Sequence, residues 1–337
     1  MRTYNLCLLG FGNVNRTLVR LLRDKEQELR ARDIAWRVTG VATRRLGWLA
    51  DSEGFDTGLE TGSISTPGRA GTPGLHNVRE WLQAARADVL FEATSLNPQS
   101  GQPAIDHIRA ALECGAHAIT ANKGPIVHAY DELCSLAATR GRRFLFESTV
   151  MDGVPIFSMF RDSLPTIHLQ GFRGILNSTT NVILTGMEEG LSFQESLAKA
   201  QQIGVAETDA SQDIDGWDAA VKVAALVIVL MGVHIQLHEI EREGIGNLAG
   251  EAVRAARAEG KPYKLICRAQ RTERGVTASV RPEQVPLSDP LAWVAGTSSI
   301  VYFETDIFPA LAITEHDPGL EATAYGMLAD FVRAVTL

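Results

Sequence analysis

Between Glu207 and Lys222 the sequence reads ETDASQDIDGWDAAVK, five carboxylates and one lysine, and runs directly into the apolar VAALVIVLMG. A lysine can move a proton, and carboxylates can hold a cation. A lysine takes up or returns a proton near neutral pH when partial desolvation or a neighbouring cation lowers its pKa, and adjacent carboxylates oppose that shift. Asp218 and Lys222 are four residues apart, which places them on one face of a helix. That helix is expected to begin near Asp215 to Trp217. Gly216 and the acids before it suit a loop or cap. Glu207 and Asp213 then lie on the loop leading in, and VAALVIVL anchors the far end in a core. A rigid stalk with a charged tip can hold a small zwitterion. The plainer reading is a solvated helix start whose i,i+4 ion pair contributes only about 0.3–0.5 kcal/mol; Asp209, Ser211 and Asp215 fit it.

A second polar island interrupts apolar sequence in GFRGILNSTTNVILTGMEEG. Asn177 to Asn181 can cap a helix over NVILTGM. They can equally donate hydrogen bonds to a bound carboxylate, with Asn177 and Thr179 at the centre, and the N–H groups of a helix start favour the same anion.

The elements that must position these groups alternate. YNLCLLG, WRVTGVAT, DVLFEATS, HAITANK and RFLFESTV read as strands, and RTLVRLLRDKEQELRAR, AIDHIRAALECGA and YDELCSLAATRG as the helices between them. This predicts parallel βαβ units whose strand ends line one ligand-binding edge. The first strand runs into GFGNVN. Gly10 permits a sharp turn, and Gly12 lets backbone approach a pyrophosphate over the following helix start. The third fingerprint glycine is replaced by Asn15. At the end of the second strand, where an acid would read a ribose 2′-hydroxyl, stand Thr43, Arg44 and Arg45. Paired guanidinium donors suit a 2′-phosphate, which favours NADP and leaves NAD open; a solvated arginine pair is the alternative. The Gly-, Ser- and Pro-rich segment from Leu49 to Glu80 reads as an excursion between strands.

At 337 residues, with 45% hydrophobic and 21% charged, the chain can form two packed domains. A formal charge of -8 argues against a nucleic-acid binder. The four cysteines have neither metal-ligand nor disulfide-framework spacing. The start MRTYNLCLLG lacks a signal-peptide pattern, and AALVIVLMGVHIQL is too short for a membrane span. A cytoplasmic protein with no membrane partner is expected.

GFGNVN, FEATS, ITANKGP, ESTV, GILNSTTNVIL and VAETDASQDIDGWDAAVK occur in this order, and together they resemble the homoserine dehydrogenase family over nearly the whole chain. The resemblance implies an α/β fold: a Rossmann-type parallel-sheet dinucleotide domain plus an α+β homoserine-dehydrogenase-like catalytic domain with an open sheet. The expected bounds are 1–150 for the dinucleotide domain, 151–310 for the substrate and dimerisation domain, and 311–337 for a C-terminal segment packing back on the first. It further implies a homodimer in a short form without a regulatory domain. Lys222 would handle the proton, Asp218 orient or relay, and Lys123 link cofactor to substrate, the two lysines coming from different domains. Glu207 would hold the substrate amino group, and Asp213 would be a further substrate-site acid. The cofactor set would include Gly10, Gly12, Asn13 and Val14 of the turn, Thr94 and Ser95 of FEATS, Asn122 and Lys123 of ANK, and Gly319. Backbone oxygens of Glu147, Val150, Asp152 and Val154 would hold a monovalent cation, usually sodium.

The chain departs from the family pattern in three loops. Met151 and Asp152 stand where a glycine triplet is usual, TEHDPGLEATAYG replaces a glycine-rich loop, and ETDA replaces Glu-Asp-Pro. These bear on substrate identity. The leading expectation is interconversion of L-homoserine and L-aspartate 4-semialdehyde with NAD(P). The alternatives are a related dehydrogenase of another small hydroxy or amino acid, and a dinucleotide-binding sensor or scaffold without turnover.

Overall fold

The structure, a computed structural model, describes residues 1–55 and 72–336. The expected excursion from Leu49 to Glu80 therefore lies partly outside the described residues. The chain divides into two compact units, Met1–Phe157 with Gly319–Leu337, and Ser158–Pro318.

The first unit runs β1 (Arg2–Leu9), α1 (Asn13–Asp24), α2 (Glu26–Arg30), β2 (Ile34–Thr43), β3 (Gly47–Ala50), α3 (Val78–Ala84), β4 (Val89–Glu92), α4 (Ala104–Glu113), β5 (His117–Thr120), α5 (Gly124–Thr139), β6 (Phe144–Leu145) and the short turn α6 (Ile156–Ser158). Strand order is β3-β2-β1-β4-β5-β6. Runs such as LCLL and VLF are apolar at every position, so both sheet faces need cover, and the strands pair parallel. Only β3, whose last two residues fall in the expected excursion, is antiparallel, on β2. The helix α3 begins at the end of that stretch; Asn77 caps it by accepting from the Glu80 N–H at 3.0 Å. On α1 the buried Leu18, Val19 and Leu22 face the core. There they join Met327 and Phe331 of the last helix, α12 (Leu320–Thr336). The Phe331 ring meets Tyr4 and Phe91 edge-on. Buried Asp330 of α12 accepts the Glu147 N–H at 2.8 Å, and the Ser148 hydroxyl donates to the Thr323 carbonyl at 2.7 Å.

The second unit runs β7 (Leu169–Ile175), α7 (Ser178–Glu188), α8 (Phe193–Gln202), α9 (Ser211–Ile214), α10 (Trp217–Leu226), β8 (Glu241–Arg242), α11 (Gly250–Ala258), β9 (Tyr263–Thr272), β10 (Gly275–Gln284), β11 (Ser299–Thr305) and β12 (Leu311–Glu315). Its sheet has the order β12-β11-β7-β9-β10-β8. Neighbours pair antiparallel apart from β8 on β10. Residues 311–318, grouped in the sequence reading with the C-terminal segment, belong to this unit, because Leu311–Glu315 hydrogen-bond to β11. The apolar run after Lys222 is buried as expected and continues past α10 as a π-helical turn over Val227–Met231.

Candidate functional site

In the first unit the strand order reverses between β1 and β4, the place where open parallel sheets bind ligands. A cavity of about 800 Å³ opens there, lined by the β1 end and its glycine turn, the β2 end at Thr43 to Arg45, and Thr94 and Ser95 after β4. Gly10 sits in the left-handed region at φ +80°, and a Cβ on it would lie 2.5 Å from the Ala93 carbonyl oxygen. Gly12 begins α1, and a Cβ there would meet nothing within 4 Å. The backbone at this helix start thus faces open space, as a pyrophosphate requires. Two consequences of the replaced glycine are visible. Asn15 is fully buried, and its amide donates to the Gly10 and Leu9 carbonyls at 2.9 and 3.3 Å. Its side chain therefore ties the turn from beneath and leaves the crevice open.

Of the expected cofactor residues, Gly10, Gly12, Thr43, Arg44, Arg45, Thr94 and Ser95 line the cavity. Asn13 and Val14 are not among the lining residues, and Val14 packs against the core instead. Asn122 is also turned inward. Its carbonyl accepts the Gly124 N–H at 2.9 Å, and its amide points to the Thr94 and Ser95 carbonyls at 3.3 and 3.4 Å. Lys123 is the N-cap residue of α5, and Gly319 directly precedes α12. Sequence reasoning missed Arg16, Trp48 and His107, which line the same cavity. Arg16 lies over the Phe11 ring, and Trp48 meets His107 edge-on. Of these, only Arg16 carried a local signal, a cation in the first turn after the glycines.

The expected cation site lies in the same unit. Met151 and Asp152 both take left-handed φ values, and the Val154 N–H closes the turn on the Met151 carbonyl at 3.0 Å. The Glu147 carboxylate is committed elsewhere, accepting from the Phe157 N–H at 2.7 Å and from Arg333 at 3.2 Å. The Val154 carbonyl accepts the Ile156 N–H at 2.8 Å. Asp152 is held by the Thr323 hydroxyl at 2.6 Å.

In the second unit the groups of the opening stretch converge. Gly216, at φ +79°, breaks the chain between α9 and α10. Asp213 consequently sits on the one-turn α9, where a loop was expected. Asp218 and Lys222 share a face of α10 with carboxylate and ammonium 3.0 Å apart, both mostly buried. Lys222 also donates to the Leu176 carbonyl at 2.6 Å. Asn177 joins the acids: its amide donates to Asp213 at 2.7 Å and to Asp218 at 3.1 Å. Its carbonyl oxygen accepts from the Thr180 N–H at 2.8 Å, which makes it the N-cap of α7. Thr179 is buried and donates to the Val205 carbonyl at 2.9 Å. Glu207 is exposed on the loop before α9, with its carbonyl accepting from Gln201. Nearby, burial pushes the Cys267 thiol up to about 12, so it takes no part as a nucleophile at neutral pH.

Burial, reinforced by the Asp218 charge, raises the Asp213 pKa above the ordinary aspartate value. The folded state then binds this proton more tightly than the unfolded chain does. Stability falls as pH rises from about 4 through the folded pKa, and ionised Asp213 weakens the fold above it. Asp213→Asn is expected to raise the Tm by roughly 1–3 °C at pH 7–8, with the gain vanishing near pH 4. Thermal unfolding across that range checks it; a lower Tm at pH 8 overturns it.

Two family models cover the chain: "Homoserine dehydrogenase, NAD binding domain" matches residues 10–147 and "Homoserine dehydrogenase" residues 155–332. A NAD(+)-dependent homoserine dehydrogenase of Pseudomonas canavaninivorans is 33% identical over 99% of this chain and 96% of its own. Among solved structures, a homoserine dehydrogenase from Thiobacillus denitrificans superposes with a TM-score of 0.84 at 28% identity, covering 100% of this chain and 74% of its own. A hyperthermophilic archaeal homoserine dehydrogenase mutant in complex with NADPH gives 0.81 at 26% identity, covering 99% and 98%. With both halves matched and the glycine turn and lysine array in place, the chain belongs to the homoserine dehydrogenase family.

Proposed function

We propose that the protein interconverts L-homoserine and L-aspartate 4-semialdehyde by hydride transfer with NAD(P). The observation that carries this reading is the Lys222 ammonium, fixed between the Leu176 carbonyl and Asp218 at the edge of an array that includes Asn177 and Asp213. The cavity at the glycine turn suits a dinucleotide in size, position and open helix start; when bound, its nicotinamide accepts or returns the hydride.

Lys222 takes the hydroxyl proton as the hydride leaves the adjacent carbon, and in the reverse direction it polarises the aldehyde and protonates the growing alkoxide. Asp218 orients it. Lys123 stabilises charge on the oxygen and links cofactor to substrate. Glu207 receives the substrate ammonium, and Asp213 assists. Asn177, which donates to Asp213 and Asp218, and Thr179 act on the substrate side at the start of α7. Thr43, Arg44 and Arg45 favour NADP through donors to its 2′-phosphate. A monovalent cation, sodium by preference, on the main-chain oxygens of Glu147, Val150, Asp152 and Val154 belongs to the same reading, and no step depends on it. So do a cytoplasmic setting and a homodimer formed through the face of the second sheet that exposes Gln270 and Thr277, which lie side by side on β9 and β10. Among the described residues no helix is long and apolar enough to cross a membrane.

The test is spectrophotometric turnover with L-homoserine and a panel of small hydroxy acids, using both cofactors. Reduction with homoserine at a kcat on the order of 1–10³ s⁻¹ supports the reading. Turnover with another hydroxy acid alone moves the substrate, and dinucleotide binding without any turnover favours a sensor. In the same assay Arg44→Ala with Arg45→Ala should weaken NADP(H) about tenfold or more while NAD(H) stays within about twofold; equal losses remove the 2′-phosphate role.

A further inference from the structure

We propose that Glu92 is a positioning residue of the cofactor cavity, acting through Thr120 and Asn122 to fix the Thr94–Ser95 edge and the backbone at Lys123. This rests on the reading of that cavity as a dinucleotide site. Glu92 ends β4 and is fully buried. Its partners are hydroxyls and an N–H: one carboxylate oxygen accepts the Thr94 N–H at 2.8 Å and the Thr94 hydroxyl, and the other accepts the Thr120 hydroxyl at 2.6 Å. Burial pushes its pKa up and these donors pull it back. A buried carboxylate held by such donors is costly compared with an apolar residue of similar size, so packing alone does not account for a glutamate here.

The bonds continue in one direction. With its proton given to Glu92, the Thr120 oxygen accepts the Asn122 N–H at 2.9 Å. Asn122 accepts the Gly124 N–H, at the start of α5, and its amide points back to the Thr94 and Ser95 carbonyls. The path closes on Thr94, which Glu92 holds directly, and on its neighbour Ser95. It joins the carboxyl ends of β4 and β5, one bearing two residues that line the cavity, the other bearing Lys123. A fully paired buried network of this kind locks loops that strand pairing alone leaves free to shift.

Thr120→Val keeps the shape and removes the hydroxyl, leaving a carboxylate oxygen and the Asn122 N–H unpaired. Thr120→Ser keeps the hydroxyl with a weaker strand former. NADH and NADPH binding is followed by fluorescence, together with kcat, the homoserine KM and the Tm. Thr120→Val should weaken dinucleotide binding about tenfold and lower kcat, with the homoserine KM within about twofold. Thr120→Ser should restore binding to within about threefold even where its Tm is the lower of the two. A purely structural role predicts that binding follows Tm. Glu92→Gln, which keeps the bonds to Thr94 and loses the acceptor for Thr120, should shift binding in the same direction as Thr120→Val. Normal binding in Thr120→Val or Glu92→Gln, or a Thr120→Ser variant as defective as Thr120→Val, overturns the proposal. Wild-type protein that binds neither dinucleotide overturns the cofactor reading itself, and this inference with it.

Discussion

Lys222→Ala is expected to lower kcat by about 10²–10⁴-fold, the range in which a positioned acid–base group acts, while NAD(P)H affinity stays within about twofold. The separation follows from placement: the ammonium belongs to the second unit, and the dinucleotide cavity is built from first-unit residues alone. Removing the lysine also takes the cation from Asp218 and a donor from the Leu176 carbonyl, so some loss of stability accompanies the change. Lys222→Arg separates the two effects. A guanidinium restores positive charge beside Asp218 but does not release a proton at any working pH. The Tm should recover while turnover stays collapsed. Turnover that returns with arginine, or that survives in the alanine variant, removes Lys222 from proton transfer and leaves it as an ion-pair partner.

What could be read in advance was what is periodic or sterically forced. Asp218 and Lys222 are four apart, so any helix through them puts both on one face, and the structure has them paired. Gly10 ends an apolar strand before an amphipathic helix, and only a turn with a left-handed residue connects the two so closely. Asn177 was harder. The sequence allows it a helix cap or a hydrogen bond to a bound carboxylate; its carbonyl oxygen caps α7, and its amide is engaged by two acids of the chain itself, Asp213 and Asp218. Those partners lie 36 and 41 residues away, and no local pattern encodes them. Trp48 and His107 reach the cavity from β3 and α4, elements whose neighbours are set by the sheet order. Asn15 shows the converse: it stands where a third fingerprint glycine is usual, and its burial makes it a tie.

The two glycines of the turn should fail in different ways, and the difference reports on what fills the cavity. Gly10→Ala forces a Cβ to within 2.5 Å of the Ala93 oxygen, 2.7 Å of its carbonyl carbon and 2.9 Å of the Thr94 nitrogen. These are main-chain atoms, so no rotamer relieves the clash. They are also tied, since the Ala93 N–H donates to the Leu9 carbonyl and the Thr94 N–H to Glu92. The left-handed φ adds about 1–2 kcal/mol and overpacking about 1–3 kcal/mol. Relief comes only by prising the β4 end, with Thr94 and Ser95, away from the turn. Gly10→Ala should therefore lose roughly 4–10 °C of Tm and weaken dinucleotide binding on the order of 10²-fold. Gly12→Ala meets nothing within 4 Å and keeps an ordinary φ of -88°. Its Tm should stay within about 1 °C, because an added methyl finds neither strain nor clash in the free protein. Binding should still fall about tenfold or more, because the methyl occupies the space where a pyrophosphate approaches the helix start. If Gly12→Ala binds NADH and NADPH as the wild type does, the phosphates do not sit over α1, whatever Gly10→Ala does.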